Sequence, residues 1–139
     1  MVAASLQGDS GSMQNDGAAT VFLVDDSASI RERLKELLGQ SGVRIAGEAE
    51  TAASAIQGIL ATRPTFVVLD YRLQEGTGLD VLRAAAGIAR ETVFIVLTNY
   101  ISAPVRSACT SAGAQYFLDK SSEFDRLNAI ITDFNARLG

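Results

Sequence analysis

The chain has 139 residues, of which 47% are hydrophobic and 20% are charged, and its formal net charge is −4. This length and composition are typical of one globular domain, and the acidic balance argues against nucleic-acid binding through a strongly basic surface. The single cysteine, Cys109, excludes an internal disulfide, and the lack of histidine excludes His-dependent catalysis and imidazole metal ligands.

The first 18 residues are rich in Gly, Ser, Asp and Asn and offer little to bury. We therefore expect a disordered tail at 1–18 and a single domain at 19–139. The tail lacks the basic region and apolar run of a secretory signal. Because no segment approaches the ~20 apolar residues of a membrane span, we expect a cytoplasmic protein without membrane insertion.

From residue 20 onward, short apolar runs alternate with amphipathic segments. The apolar runs predict five strands, at 20–24, 43–50, 65–70, 92–98 and 115–119. The first, third and fourth runs are continuously apolar, which indicates strands buried on both faces. The second run is weaker and predicts a strand nearer the edge of the sheet.

The segments between the strands have helical periodicity. They predict five helices, at 27–42, 51–63, 78–87, 102–114 and 121–138. Leu79 and Leu82 are expected on the buried side of the third helix, and Pro104 in the first turn of the fourth. Ser121 or Ser122 is expected to cap the last helix.

Five strand–helix pairs in about 120 residues, with continuously apolar strands, indicate an α/β fold. The predicted architecture is a doubly wound, five-stranded parallel sheet covered by helices on both faces. In such a sheet functional residues gather where the strands end. The polar residues at these ends are Asp25, Asp26, Asp70, Thr98 and Lys120.

Each of these residues also has a purely structural interpretation. Asp26 could cap the first helix together with Ser27, and Asp70 could cap a turn. Thr98 could be an ordinary β-branched strand residue, and Lys120 a solvated charge. The functional interpretation is favoured because all of them fall at carboxyl ends of one sheet, where clustered carboxylates repel unless a cation such as Mg²⁺ neutralises them.

With a divalent cation bound, Asp70 could attack phosphorus and form an aspartyl phosphate. Phosphoryl transfer requires mainly positioning and charge neutralisation. Lys120 and the Thr98 hydroxyl could provide these to the phosphoryl oxygens. No general base is needed, because an ionised carboxylate is already nucleophilic.

Four segments carry a resemblance to a known family: "LVDDS", "VVLDYRL…GTGLDVL", "IVLTN" and "AGAQYFLDKS". Over residues 20–138 the chain resembles the receiver domain of two-component response regulators. The order and spacing of the polar residues agree with that family. The resemblance implies a flavodoxin-like (βα)5 fold with strand order 2-1-3-4-5.

The resemblance also implies roles for the acidic residues. Asp70 is similar to the phosphoacceptor, and Asp26 to the direct ligand of Mg²⁺, for which Mn²⁺ is an alternative. Asp25 would be an outer or water-mediated partner of the metal. Asp70 and the backbone carbonyl of Arg72 would complete the protein ligands.

Two further positions match the switch of the family. Thr98 resembles the hydroxyl that moves towards the phosphoryl group, with Lys120 pairing beside it. Phe117 matches the aromatic residue whose rotamer follows phosphorylation, although it lacks a hydroxyl, and Tyr116 is expected to point into the opposite layer. Phosphorylation would then alter the face formed by helix 4, strand 5 and helix 5.

The implied partners are a histidine kinase or phosphotransfer protein, an unidentified downstream protein, and a second copy through that same face. No direct contact with nucleic acid is expected. The chain would catalyse its own phosphorylation and dephosphorylation without being a conventional turnover enzyme.

Arg72 and Tyr100 would overhang the acyl phosphate and slow its hydrolysis.

Several alternatives stay open. The chain could be a phosphate sink, or one domain of a longer regulator or hybrid kinase. A receiver that binds partners without phosphorylation is disfavoured, because all five polar groups of the family are present. A haloacid-dehalogenase-type phosphatase is disfavoured, because it needs a second acid two residues after its nucleophile, where this sequence has Ser27 and Arg72. A nucleotide-binding flavodoxin-like protein is disfavoured because no Gly-rich loop follows the first strand.

Overall fold

The computed structural model describes residues 18–138, in which strands and helices alternate. The elements are β1 (Thr20–Val24), α1 (Ala28–Gly39), β2 (Arg44–Ala49), α2 (Ala52–Thr62), β3 (Phe66–Leu69), α3 (Gly78–Ala85), β4 (Val93–Thr98), α4 (Ala103–Ser111), β5 (Tyr116–Asp119) and α5 (Phe124–Leu138). Apart from Ala18, the tail predicted at 1–18 lies outside the described residues, so that prediction is not tested.

The strands form one parallel sheet in the order β2-β1-β3-β4-β5. The predicted doubly wound α/β architecture is therefore confirmed, including the edge position of the second strand. The strands β1, β3 and β4 are buried apart from their first residues in β1 and β4. Their continuous apolar runs arise because helices cover both faces of the sheet.

The alternation of side chains along the strands divides the core into two layers. One layer, which we call the α2–α4 side, packs α2, α3 and α4 against the sheet residues Phe22, Val24, Val67, Leu69, Phe94, Val96 and Phe117. The other, the α1–α5 side, packs α1 and α5 against Val21, Leu23, Phe66, Val68, Ile95, Leu97 and Leu118. The first layer therefore carries the helix α4 and the aromatic ring of β5.

The ring of Phe22 fills the space between the sheet and α2. A Cβ atom at Gly58 of α2 or at Gly47 of β2 would lie well inside van der Waals contact with this ring. Both glycines therefore allow the helix and the edge strand to approach a buried aromatic side chain closely.

The buried face of α3 differs from the prediction. Gly78, Val81, Leu82 and Ala85 are buried, whereas Leu79 is only half-buried. The helix begins at Gly78, which packs against the carbonyl oxygen of Asp70. Because that contact orients the helix, the buried stripe continues at three, four and seven positions further on, and Leu79 lies beside it.

The predicted serine cap of α5 is also wrong, because the helix begins at Phe124. The Ser121 N–H and hydroxyl both donate to Asp119 Oδ1, at 2.9 and 2.6 Å. Glu123 instead accepts a bond from the Asp119 N–H at 2.7 Å. The serine therefore shapes the β5–α5 loop rather than the first turn of the helix.

Candidate functional site

Three carboxylates meet at the carboxyl end of the sheet. Because β1 and β3 are adjacent, with Val24 opposite Leu69, the residues that follow them become neighbours. Asp25, Asp26 and Asp70 each offer an oxygen within 4.8 Å of the others. Asp25 and Asp70 are 3% and 8% exposed, whereas Asp26 is open to solvent. We call this cluster the acidic pocket.

Lys120 reaches the acidic pocket from the end of β5. Its Nζ lies 2.7 Å from Asp25 Oδ2 and 2.6 Å from Asp70 Oδ2. Its backbone N–H donates to the carbonyl oxygen of Thr98 at 2.9 Å, which anchors the residue beside β4. The ammonium group therefore bridges the two buried carboxylates.

The pKa values of Asp25 and Lys120 depend on burial and on the hydrogen bonds that Lys120 makes to the buried carboxylates. Burial raises the pKa of Asp25 above its ordinary value, more than hydrogen bonds from Lys120 and the Ser27 N–H lower it. Burial would lower the pKa of Lys120, but its bonds to Asp25 and Asp70 outweigh this and raise it. One ammonium thus compensates three carboxylates incompletely, and the all-oxygen donor set fits a hard divalent cation.

The loop after β3 holds Asp70 in a fixed orientation. Its Oδ1 accepts the Tyr71 N–H at 2.7 Å, while its Oδ2 contacts Lys120. The loop folds back on itself, because the Gly78 N–H donates to the Tyr71 carbonyl at 2.7 Å. A Cβ atom at Gly78 would lie 2.5 Å from the Asp70 carbonyl oxygen, so this close approach requires glycine. A role of the Arg72 carbonyl as a metal ligand stays a prediction.

Asp26 and Ser27 precede α1, and the sequence left open which of them caps this helix. The N-cap of α1 is Ser27, whose hydroxyl accepts the Ile30 N–H. The Ser27 N–H in turn donates to Asp25 Oδ1 at 2.9 Å. Asp26 does not occupy the cap position, so the structural alternative for that residue is wrong.

Thr98 and Phe117 occupy the next two strands on the α2–α4 side. Thr98 is buried, and its hydroxyl oxygen accepts the Tyr100 N–H at 3.1 Å. Phe117 is also buried, and the Arg106 guanidinium of α4 lies 4.7 Å from the centre of its ring. Tyr116 lines a groove beside Phe134 of α5, so it points into the opposite layer as expected.

Arg72 and Tyr100, which follow Asp70 and Thr98 by two residues, contact each other. The Arg72 guanidinium lies 4.3 Å from the centre of the Tyr100 ring. The Tyr71 ring is 5.9 Å from the same ring, a neighbour that the sequence analysis missed. The side chains of Tyr71, Arg72 and Tyr100 therefore form a cationic and aromatic cluster. These residues follow Asp70 and Thr98 by one or two positions in the chain.

Comparison with known proteins agrees with this geometry. The family described as "Response regulator receiver domain" matches residues 21–132. The chain therefore belongs to the receiver domain family of two-component response regulators. Members of this family interact with histidine kinases or phosphotransfer proteins.

The chain matches different shares of the length of its individual relatives. The chain is 32% identical to the DNA-binding transcriptional activator DevR/DosR of Mycobacterium tuberculosis, over 84% of this chain and 54% of that protein. It is 27% identical to the chemotaxis protein CheY of Thermotoga maritima, over 77% of this chain and 89% of that protein. Thus it spans about half the length of several curated relatives that it matches.

A solved structure with a similar fold is that of a two-component response regulator of the LuxR family from Aurantimonas sp. SI85-9A1. Its TM-score is 0.78 and its identity 26%, over 86% of each chain.

Among the helices formed by residues 18–138, none is long and apolar enough to cross a membrane.

Proposed function

We propose that the chain is a phosphorylation switch in which Asp70 accepts a phosphoryl group from a phosphohistidine on a sensor kinase or phosphotransfer protein. Asp25, Asp26 and Asp70, with the Arg72 carbonyl, would hold Mg²⁺, or Mn²⁺ in its place. The observation that carries the proposal is the convergence of three carboxylates and one ammonium group in the acidic pocket. The site would operate in the cytoplasm.

The chemistry follows from how Asp70 is held. A bond forms between a carboxylate oxygen of Asp70 and phosphorus, while the P–N bond of the phosphohistidine breaks and its electron pair returns to the donor imidazole. The Tyr71 N–H and Lys120 orient the carboxylate before the reaction. A bound divalent cation supplies Lewis-acid neutralisation of the phosphoryl oxygens, and the Lys120 ammonium supplies a second positive charge.

The Thr98 hydroxyl provides a link from the phosphoryl group to the surface. Its oxygen accepts the Tyr100 N–H, and its own hydrogen can be donated to a phosphoryl oxygen. A rotation of Thr98 would change the space beside Phe117, because both residues face the α2–α4 side on adjacent strands. The helix α4 covers this region with Cys109 as its buried residue, and such limited burial favours displacement.

The face formed by α4, β5 and α5 would therefore report phosphorylation to a downstream protein or to a second copy of the chain. Tyr116 and Ile101 are exposed apolar side chains near this face. Sedimentation velocity before and after phosphorylation would test the homodimer, which requires a phosphorylation-dependent increase in mass. No direct contact with nucleic acid is part of the proposal.

A second arrangement is that the receiver is one domain of a longer regulator. The observation that favours it is the coverage of only about half of several relatives, among them a DNA-binding activator. In that arrangement the same face would contact an output domain rather than a separate protein.

The phosphorylation itself is tested with acetyl phosphate and Mg²⁺, followed by mass spectrometry of the intact chain. Wild type should gain one phosphoryl group, Asp70→Asn should not, and chelation of the metal should prevent the gain. Asp133→Asn, which makes the same chemical change on the exposed side of α5, should behave as wild type. A wild type without adduct, or an Asp70→Asn variant that gains it equally, would contradict the proposal.

We also propose that Arg72 and Tyr100 slow the loss of the phosphoryl group by covering the approach of water. The contact between their side chains supports a joint cover. Arg72→Ala and Tyr100→Ala should each shorten the phosphoryl half-life several-fold, and the double variant should show less than the combined effect, because the residues contact each other. Ile88→Ala, an exposed residue elsewhere, serves as the control; unchanged half-lives in both single variants would refute the idea.

A further inference from the structure

Arg31 of α1 connects the ends of the neighbouring strands β1 and β2 near the acidic pocket. Its Nη1 donates to the carbonyl oxygen of Asp25 at 2.5 Å. Its Nε donates to Glu48 Oε1 of β2 at 2.8 Å, and its Nη2 to Glu50 Oε2 at 3.3 Å. The side chain is 11% exposed, so the guanidinium fork is held between the segments rather than free in solvent.

These contacts complete the hydrogen bonding of Asp25, whose carbonyl belongs to the peptide unit that joins it to Asp26. The Asp25 N–H donates to the Ala49 carbonyl at 3.1 Å, and Asp25 Oδ1 accepts the Ser27 N–H. The Asp25 carbonyl is the remaining polar group of that residue's backbone, and Arg31 binds it. Since Asp26 begins at the other end of the same peptide unit, the position of its backbone depends on this bond.

We propose that Arg31 is a positioning residue for divalent cation binding, which acts through the Asp25–Asp26 peptide unit. The inference rests on the proposed function and deepens it. Asp26 is exposed, so the backbone, rather than packing around its side chain, sets the place of its carboxylate. Without Arg31 the peptide unit can rotate and carry the Asp26 carboxylate away from that of Asp25, which Lys120 and the Ser27 N–H still hold.

The direction of the effect separates positioning from simple electrostatics. Arg31 carries a positive charge close to a cation site. Removal of that charge alone would strengthen cation binding, because it removes repulsion. A positioning role requires the opposite result, namely weaker binding in Arg31→Met.

Lys35, one turn further along α1, offers a matched control. It contacts Glu48 at 2.8 Å and also pairs with Glu32. Lys35→Met therefore removes one positive charge from the same ionic network but leaves the bond between Arg31 and the Asp25 carbonyl in place. Arg31→Lys keeps the charge, but an ammonium group cannot reproduce the three directed bonds of the guanidinium.

The experiment measures Mn²⁺ affinity of the whole chain by electron paramagnetic resonance of the free ion, with folding checked by circular dichroism. Loss of a group that orients metal ligands typically weakens binding by 10–100-fold, so we expect about tenfold weaker binding in Arg31→Met. Arg31→Lys should be intermediate, and Lys35→Met as tight as wild type or tighter. Raised Mg²⁺ should restore the rate of acetyl phosphate transfer in Arg31→Met towards wild type.

Arg31→Met that binds Mn²⁺ as tightly as Lys35→Met would overturn the inference and leave the proposed function intact. A rate that raised Mg²⁺ does not restore would also overturn it. Wild type that binds no Mn²⁺ would overturn the proposed function and the inference with it. If Arg31→Met fails to fold, Arg31→Lys decides: weaker binding than wild type supports positioning, and equal binding refutes it.

Discussion

Asp25 and Asp26 are neighbours in the chain with opposite surroundings. Asp25 continues the hydrogen bonding of β1 through its N–H and is buried against Lys120. Asp26 follows it into solvent. The repulsion between these two adjacent charges is therefore reduced in two ways. The Asp25 carboxylate pairs with Lys120 inside the protein, whereas the Asp26 carboxylate is exposed to solvent, where a metal ion can reach it.

We expect Asp26→Ala to separate folding from phosphorylation. Because the side chain is exposed, its loss should change the free energy of unfolding by no more than about 0.5 kcal/mol. Metal-dependent phosphorylation should be lost, since the exposed carboxylate of the acidic pocket is removed. Urea denaturation and mass spectrometry after acetyl phosphate treatment measure the two effects.

The control is Glu36→Ala, which removes an exposed carboxylate from α1 outside the pocket. It should leave both quantities unchanged. An Asp26→Ala variant that is phosphorylated as fast as Glu36→Ala would show that Asp26 is not required.

The helix α2 packs against a buried aromatic ring at a position where it has no side chain of its own. Phe22 lies against Gly58 of α2 and Gly47 of β2. Phe22 is 3% exposed, so its ring has little room to move away from an added methyl group. The spacing between this helix and the sheet therefore depends on two residues that lack a side chain.

We expect Gly58→Ala to destabilise the fold by about 1–3 kcal/mol through overpacking against Phe22. Helix propensity alone would give the opposite sign, since alanine is favoured over glycine by ~1 kcal/mol inside a helix. Urea denaturation of Gly39→Ala in α1 gives the matched comparison, because an added Cβ there meets nothing within 4 Å. A Gly58→Ala variant as stable as Gly39→Ala would contradict the packing argument.

At this scale the sequence predicts most of the architecture. Apolar runs and helical periodicity locate all ten elements. A strand that is buried on both faces is continuously apolar, whereas a helix that is buried on one face has apolar residues at helical spacing, so the two patterns can be told apart. The errors arise where a single tertiary contact decides how a helix begins. The start of α3 packs against Asp70 through Gly78, so that Leu79 lies beside the buried stripe, and Ser121 donates to Asp119 instead of accepting N–H groups of α5 with its hydroxyl oxygen.

For the molecule as a whole, the proposed metal binding would be linked to stability through Asp25. Its pKa in the folded state lies above the ordinary value of 3.8, so the folded state binds this proton more readily than the unfolded state. Without metal, stability therefore falls as the pH rises through the folded pKa of Asp25, and the full penalty is present above it. Lys120 does not contribute to this dependence at acid pH, because its pKa is raised above the usual lysine range.

We expect saturating Mg²⁺ to raise Tm most at neutral pH, where Asp25 is ionised and the cation offsets the penalty. This gain should decline as the pH falls through the folded pKa of Asp25, at a higher pH than for an ordinary aspartate. Thermal melts with and without Mg²⁺ across this pH range measure it. In Asp25→Asn the gain should be smaller and less dependent on pH; a wild-type Tm that Mg²⁺ leaves unchanged would contradict the prediction.

The convergence of the site could be predicted, but its internal contacts could not. Parallel strands bring their carboxyl ends together, so Asp25, Asp70 and Lys120 must be near each other whatever the details. That Lys120 bridges both aspartates depends on which groups a long flexible side chain reaches, 50 residues away from Asp70 in sequence. The bond from Arg31 to a backbone carbonyl produces no periodic or compositional pattern in the sequence, so it could not be predicted.

The bridge formed by Lys120 gives the acidic pocket a counter-ion that belongs to the chain itself. The two buried carboxylates are consequently already ordered in the folded protein, and in the proposed function a metal ion or phosphoryl donor would meet groups already in place. Binding would then lose little conformational entropy, which is the advantage of preorganisation. The proposed switch would therefore stay folded and assembled when the supply of divalent ions changes.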